Sequence, residues 1–161
     1  MSRSLSVRPV SESELETVAS VLRRTGLPSD DVRTTPARFF VAAVNGESVG
    51  VSGVELRGDA ALLRSVAVET DARGTGYGRV LVATAADHAA ERGIETLYLL
   101  TETASGYFES LGFRRCERDD VPAAIRDTTQ FDDLCPESAV CMRAPTTAVL
   151  EAARDGGRTD R

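Results

Sequence analysis

The hydrophobic period along the chain changes several times, and each change predicts an element. Residues 5–10, LSVRPV, alternate weakly and read as a strand. Ser11 followed by Glu14 forms a capping box, so a helix is expected from there to about Arg24, ended by Gly26 and Pro28. Residues 30–38 predict a short helix or a loop. FFVAAVN (39–45) is a strand, and Asn45-Gly46 is the strongest hairpin signal in the chain. SVGVSGVELR (48–57) follows, Arg57-Gly58-Asp59 turns the backbone, and ALLRSVAVE (61–69) makes a third antiparallel strand. A helix is expected over 76–92, with Gly93 as its stop. TLYLLT (96–101) is a nearly continuous apolar run, as a buried strand requires. Then come a helix over 104–111 closed by Gly112, a strand over 113–118, a polar stretch over 119–138 with one helical turn at 123–126, and a last strand over 138–143. The order predicts an α+β fold: an antiparallel meander, then helices that return the chain across the sheet. Residues 1–143 read as one domain, and 144–161 as a tail expected to fray.

Composition narrows the classes. The chain has 161 residues, of which 42% are hydrophobic, enough for one domain with a real core. No apolar run approaches the roughly 18 residues of a membrane span, and the first ten residues lack the apolar stretch of a secretory signal. A net charge of −6, with arginine as the only basic residue type besides His88, argues against nucleic acid and anionic membranes as partners. Cys116, Cys135 and Cys141 are odd in number and lack CxxC spacing. Neither a metal site nor a disulfide framework is expected, and reduced thiols in a cytoplasmic protein are the reading they favour.

The chemistry concentrates at RGTGYGR (73–79). Glycines let backbone come close to an anion, and the first N–H groups of a following helix point at it. Gly74, Gly76 and Gly78 do not have the G-x-G-x-x-G spacing of a dinucleotide loop, and no lysine is present for a P-loop. A pyrophosphate held mainly by backbone, with Arg73 and Arg79 alongside, fits what remains.

The run VAVETDARGTGYGRVLVATA (66–85) resembles the acetyl-CoA signature of the GNAT superfamily of N-acetyltransferases, matching it at Arg73, Gly76 and Gly78. A second superfamily element, A-x-x-x-[FY]-E-x-x-G-F, is matched by Ala104, Phe108, Glu109, Gly112 and Phe113. The resemblance implies the acyl-CoA N-acyltransferase fold: a mixed, mostly antiparallel sheet flanked by helices, with the strands at 61–69 and 96–101 splayed to admit acetyl-CoA. It implies backbone contacts to the cosubstrate at Val66, Ala67 and Val68, and a pyrophosphate held at Arg73, Gly74, Thr75, Gly76, Tyr77, Gly78 and Arg79. Thr101, Ala104 and Phe108 would line the cosubstrate site. The reaction implied is direct transfer of acetyl from thioester to amine.

A narrower resemblance runs through GLPSDD (26–31), GVEL (53–56), LLRSVAV (62–68), LYLLTETA (97–104) and the segment 118–142. These are similar to the arsenic-resistance N-acetyltransferases, relatives of bacterial amino-acid N-acetyltransferases. It implies a small amino-acid-like acceptor: a glutamate analogue such as arsinothricin or phosphinothricin, or an amino acid. Homodimers are frequent among similar proteins. A non-catalytic acyl-CoA-binding or regulatory module, and a protein N-acetyltransferase, are the alternatives.

Many relatives carry tyrosine at Phe108, where it protonates the departing CoA thiolate, and asparagine at Thr101. A thiol with a pKa near 8.5 can leave as thiolate with water as the acid. Phe108→Tyr is therefore expected to change the thiol-release rate by less than about tenfold, whereas a gain of several orders of magnitude would reveal a site starved of a proton donor. The amine must be neutral to attack, so a base is required. Glu55 and then Glu102 are the candidates. An acidic acceptor also needs a cation, and Arg64, mid-strand in an apolar run, is either a carboxylate clamp or the partner of an acidic neighbour such as Glu55. Arg38 and Arg118 are further cations, and Cys135 is a candidate for the acceptor pocket wall.

Overall fold

The computed structural model describes residues 5–27, 29–72, 76–128 and 139–159. Among them the strands β1 (Leu5–Pro9), β2 (Arg38–Val44), β3 (Glu47–Arg57), β4 (Ala60–Val68), β5 (Thr96–Thr101), β6 (Arg114–Arg115) and β7 (Val140–Pro145) form one sheet. The strand order is β1-β2-β3-β4-β5-β7-β6. Every pairing is antiparallel except β4 with β5. The expected α+β class and mixed sheet are what the chain forms. Asn45 and Gly46 both take positive φ, 53° and 88°, as a tight hairpin between β2 and β3 demands.

Two layers of helix cover the sheet. On one face, α1 (Leu15–Arg24) buries Val18, Val21 and Leu22 against Phe39, Val41, Val51 and Ala67. Each fully buried leucine contributes about 1.5–3 kcal/mol. The capping box is present, with the Glu14 carboxylate accepting from the Ser11 backbone N–H, but it opens a 3-10 turn over Glu12–Glu14 before α1 begins. On the other face lies α2 (Tyr77–Glu91), whose Leu81, Val82, Ala85, Ala86 and Ala89 make one buried stripe. Short helices α3 (Ser105–Glu109) and α4 (Ala123–Arg126) follow, and Val121 and Ile125 near α4 cover Leu62 and Tyr98.

The tail departs from expectation. Thr146–Thr159 form helix α5, which packs on α2 with Val149 fully buried. The Thr146 hydroxyl donates to the Ile94 carbonyl at 2.9 Å, and its backbone N–H to that of Glu95. Val149 and Leu150 pack on the core, but Gly156-Gly157 inside the run read as a break, which hid the helix in the sequence. Strand β6 is also shorter than the predicted 113–118.

The α2 layer sits close to the sheet. A Cβ placed on Gly50 would lie 2.8 Å from both the Ala67 carbonyl oxygen and Leu81 Cδ1. Gly50→Ala is therefore expected to cost about 1–3 kcal/mol by overpacking, read from denaturant midpoints. A change below about 0.5 kcal/mol, the range of surface substitutions, would mean that α2 floats on the sheet.

Candidate active site

The site begins with one extra residue in β4. Gly53 of β3 faces Arg64, but Val51 faces Ala67, so β4 carries a bulge between them. Ser65 takes φ 56° there, unusual for a residue with a side chain. Beyond the bulge β4 stays with β3, and its parallel pairing with β5 ends at Leu62↔Tyr98. The two strands diverge, and a cleft of about 780 Å³ opens between them. The Glu69 N–H donates to the Val49 carbonyl on β3 at 2.8 Å. By alternation Ala67 also faces β3, while Val66 and Val68 turn their backbone groups towards the cleft.

One end of the cleft is the start of α2. Gly76 caps the helix with φ 85°, and the N–H groups of its first turn have no acceptor inside the helix. With the helix dipole they make an anion site. A Cβ on Gly78 would come within 2.6 Å of the Tyr107 hydroxyl, so the glycine makes room for the tip of the Tyr107 side chain at the start of α2. Burial pushes the Tyr107 phenol up, and the charge of Arg79 pulls it partly back. Phe108 is buried beside it, edge-on to both Tyr107 and Phe113. Adjacent on α3, Tyr107 and Phe108 both reach the cleft. The Thr101 hydroxyl accepts the Ala104 N–H at 3.0 Å and so shapes the turn that carries Glu102. The opposite rim is Thr25, Gly26 and Leu27, just beyond α1.

Of the residues singled out from sequence, Val66, Ala67, Val68, Gly76, Tyr77, Gly78, Arg79, Thr101, Glu102, Ala104 and Phe108 meet around this cleft, and Arg64 lies in its wall. Arg73, Gly74, Thr75 and Cys135 lie outside the described residues. Glu55 is elsewhere. Its carboxylate is buried on the α1 side of β3, bound by Arg57 Nε at 2.7 Å and the Thr35 hydroxyl at 3.0 Å. Arg64 takes the ion-pair alternative. Its guanidinium grips Asp31 with both nitrogens, at 2.6 and 2.5 Å, and stands 3.7 Å from Glu55. Arg38 is exposed at the start of β2, where its charge helps burial and Arg92 push the His88 imidazole down. Arg118 donates to the Ala139 carbonyl in a different pocket. Sequence reasoning missed the Thr25–Leu27 rim, because Gly26 there served only as a helix stop. It also missed Asp31, whose role needs the long-range contact to Arg64.

Residues 35–115, which hold both motifs and most of the cleft, match the acetyltransferase (GNAT) domain model. The chain is 33% identical over 105 residues to an uncharacterized N-acetyltransferase of Chlorobaculum tepidum, covering 64% of each chain. Its fold is similar to that of a GNAT-family acetyltransferase from Staphylococcus aureus, with TM-score 0.74 and 16% identity over 89% of this chain and 99% of that one. N-acetylglutamate synthase from Neisseria gonorrhoeae, solved with coenzyme A and N-acetyl-glutamate, superposes with TM-score 0.73 and 19% identity, over 91% of this chain and 36% of that one. No described helix is long and apolar enough to cross a membrane. The family model, the parallel β4–β5 pair that parts at a bulge, and the glycine-capped helix facing the gap agree: this chain belongs to the GNAT acetyltransferase family.

Proposed function

We propose that the protein is an acetyl-CoA-dependent N-acetyltransferase acting on the amino group of a small amino-acid-like acceptor. The observation that carries this is the divergence of β4 from β5 directly onto the N-terminus of α2. The helix start takes the pyrophosphate, the backbone of Val66 and Val68 receives the pantetheine arm and the acetyl carbonyl, and the thioester lies at the bulge. The acceptor enters from the Thr25–Leu27 rim, past Glu102.

Glu102 takes a proton from the acceptor ammonium, directly or through one water. The neutral amine attacks the thioester carbon, the carbon–sulfur bond breaks, and CoA leaves as thiolate to be protonated by solvent. Glu55 does not serve here, since Arg57 and Thr35 already hold its carboxylate away from the cleft. The acceptor we infer is an amino acid, or a glutamate analogue such as phosphinothricin or arsinothricin. The fold shared with N-acetylglutamate synthase supports that class. The Arg64 fork is already occupied by Asp31, so Arg64 is not the group that meets an acidic side chain on the acceptor.

The test is thiol release from acetyl-CoA across glutamate, phosphinothricin, arsinothricin, neutral amino acids and a peptide with a free N-terminus. Turnover with one of the small acceptors is expected. Turnover with the peptide alone would make the protein a protein N-acetyltransferase, and binding of acetyl-CoA with no turnover would leave an acyl-CoA-binding module.

A further inference from the structure

Cys116 and Cys141 lie outside the cleft and take no part in the chemistry above. β6 pairs with β7 as Arg114↔Arg143 and Arg115↔Met142, so the next residues, Cys116 and Cys141, stand directly opposite. The Cys116 N–H donates to the Cys141 carbonyl at 2.9 Å, continuing the ladder. Such a pair has α-carbons about 5.5 Å apart, inside the span that a disulfide bridges. Side chains opposite each other share a face, and the two sulfurs are 3.2 Å apart as thiols. Both line a surface pocket of about 550 Å³, with Arg115, Glu117, Arg118 and Asp119 around them. Cys116 is partly exposed, whereas Cys141 is buried.

We propose that Cys116 and Cys141 form a reversible dithiol–disulfide site, oxidised by thiol–disulfide exchange with a low-molecular-weight disulfide. Cys116, the more accessible of the two, attacks first, as thiolate. One sulfur of the oxidant joins Cys116, and the other leaves as a thiolate that takes up the released proton. Cys141 then gives up its proton and attacks the Cys116 sulfur, expelling the second thiol. In sum two S–H bonds and one S–S bond become one S–S bond and two S–H bonds. Burial, then the contact with Cys116, pushes the Cys141 thiol up. The bridge would tie together residues 25 apart in sequence and lock β6 to β7, one strand from the wall of the cleft.

Incubation of the reduced native protein with glutathione disulfide, followed by peptide mapping and thermal unfolding, tests this. The expected major product is a Cys116–Cys141 linked peptide, with Cys135 still alkylatable, a Tm raised by roughly 5–10 °C, and full reversal by dithiothreitol. Cys135→Ser should leave bridging intact, and Cys141→Ser should stop at a glutathione adduct on Cys116. A major bridge to Cys135, a persistent adduct in the unaltered chain, or three thiols unchanged under native conditions would each overturn the proposal.

Discussion

Replacing Arg64 with alanine will lower the unfolding free energy by about 3–5 kcal/mol, the cost of leaving a buried charge without its partner. The Arg64 side chain is fully buried, and those of Asp31 and Glu55 are 7% and 2% exposed. Glu55 keeps Arg57 and Thr35 after the substitution. Asp31 loses both hydrogen bonds to the guanidinium and is left as a buried carboxylate. Tm should therefore fall by roughly 6–20 °C. The loss reaches the cleft as well, because Arg64 Nε also donates to the Ser65 hydroxyl at 3.1 Å, on the residue held at positive φ in the bulge. Arg64→Met combined with Asp31→Leu removes both charges and keeps most of the volume, so it should recover much of the lost stability. The exposed pair Arg23–Glu16 serves as the control, and Arg23→Ala should change Tm little. A loss below about 1 kcal/mol for Arg64→Ala, as for an exposed pair, would show that water reaches Asp31.

That cluster also marks where sequence reading stops. The meander, the Asn45-Gly46 hairpin, the TLYLLT strand and the helix behind the glycine loop each rest on local patterns, and the structure keeps them within a residue or two. The glycine-capped end of the cleft was legible for the same reason. Gly76, Gly78 and the 66–68 strand all fall within residues 66–78, and their spacing encodes a strand followed by a glycine-capped helix N-terminus. The opposite end was not. It is assembled from the rim at 25–27, the wall at Arg64 and the turn at Glu102, which only the closed sheet brings together. Glu55 was a candidate base for its place in GVEL beside β4, and Arg64 was read as a clamp or an ion-pair partner because a charge inside an apolar strand is costly unless it is paired. The purpose of each is to neutralise partners on the α1 side of the sheet, and Asp31, the strongest of these, lies 33 residues from Arg64. Tyr107 shows a different limit. A step of about 100° separates neighbours on a helix, yet α3 is so short and so closely flanked that Tyr107 and Phe108 reach the same cavity.

Glu102→Gln should reduce kcat/KM for the acceptor about a hundredfold at pH 7, within the range set by loss of a general base. The pH dependence of that loss is the stronger prediction. An amine with a pKa between about 8 and 10 is mostly protonated at neutral pH, and in the proposed mechanism Glu102 takes up that proton. As pH rises through the amine's own pKa, solvent delivers the neutral nucleophile and the base becomes dispensable. The gap between variant and parent should therefore narrow steadily from pH 7 to pH 9.5. The KM for acetyl-CoA should move less than about threefold, because Glu102 lies on the turn after β5, apart from the α2 N-terminus where the pyrophosphate is proposed to sit. Glutamine keeps the side chain's length and its hydrogen-bonding oxygen, so loss of shape cannot imitate loss of basicity. A constant ratio across the pH range would make Glu102 a group that orients the acceptor by its charge. An unchanged rate at pH 7 would move the proton to water held at the Thr25–Leu27 rim.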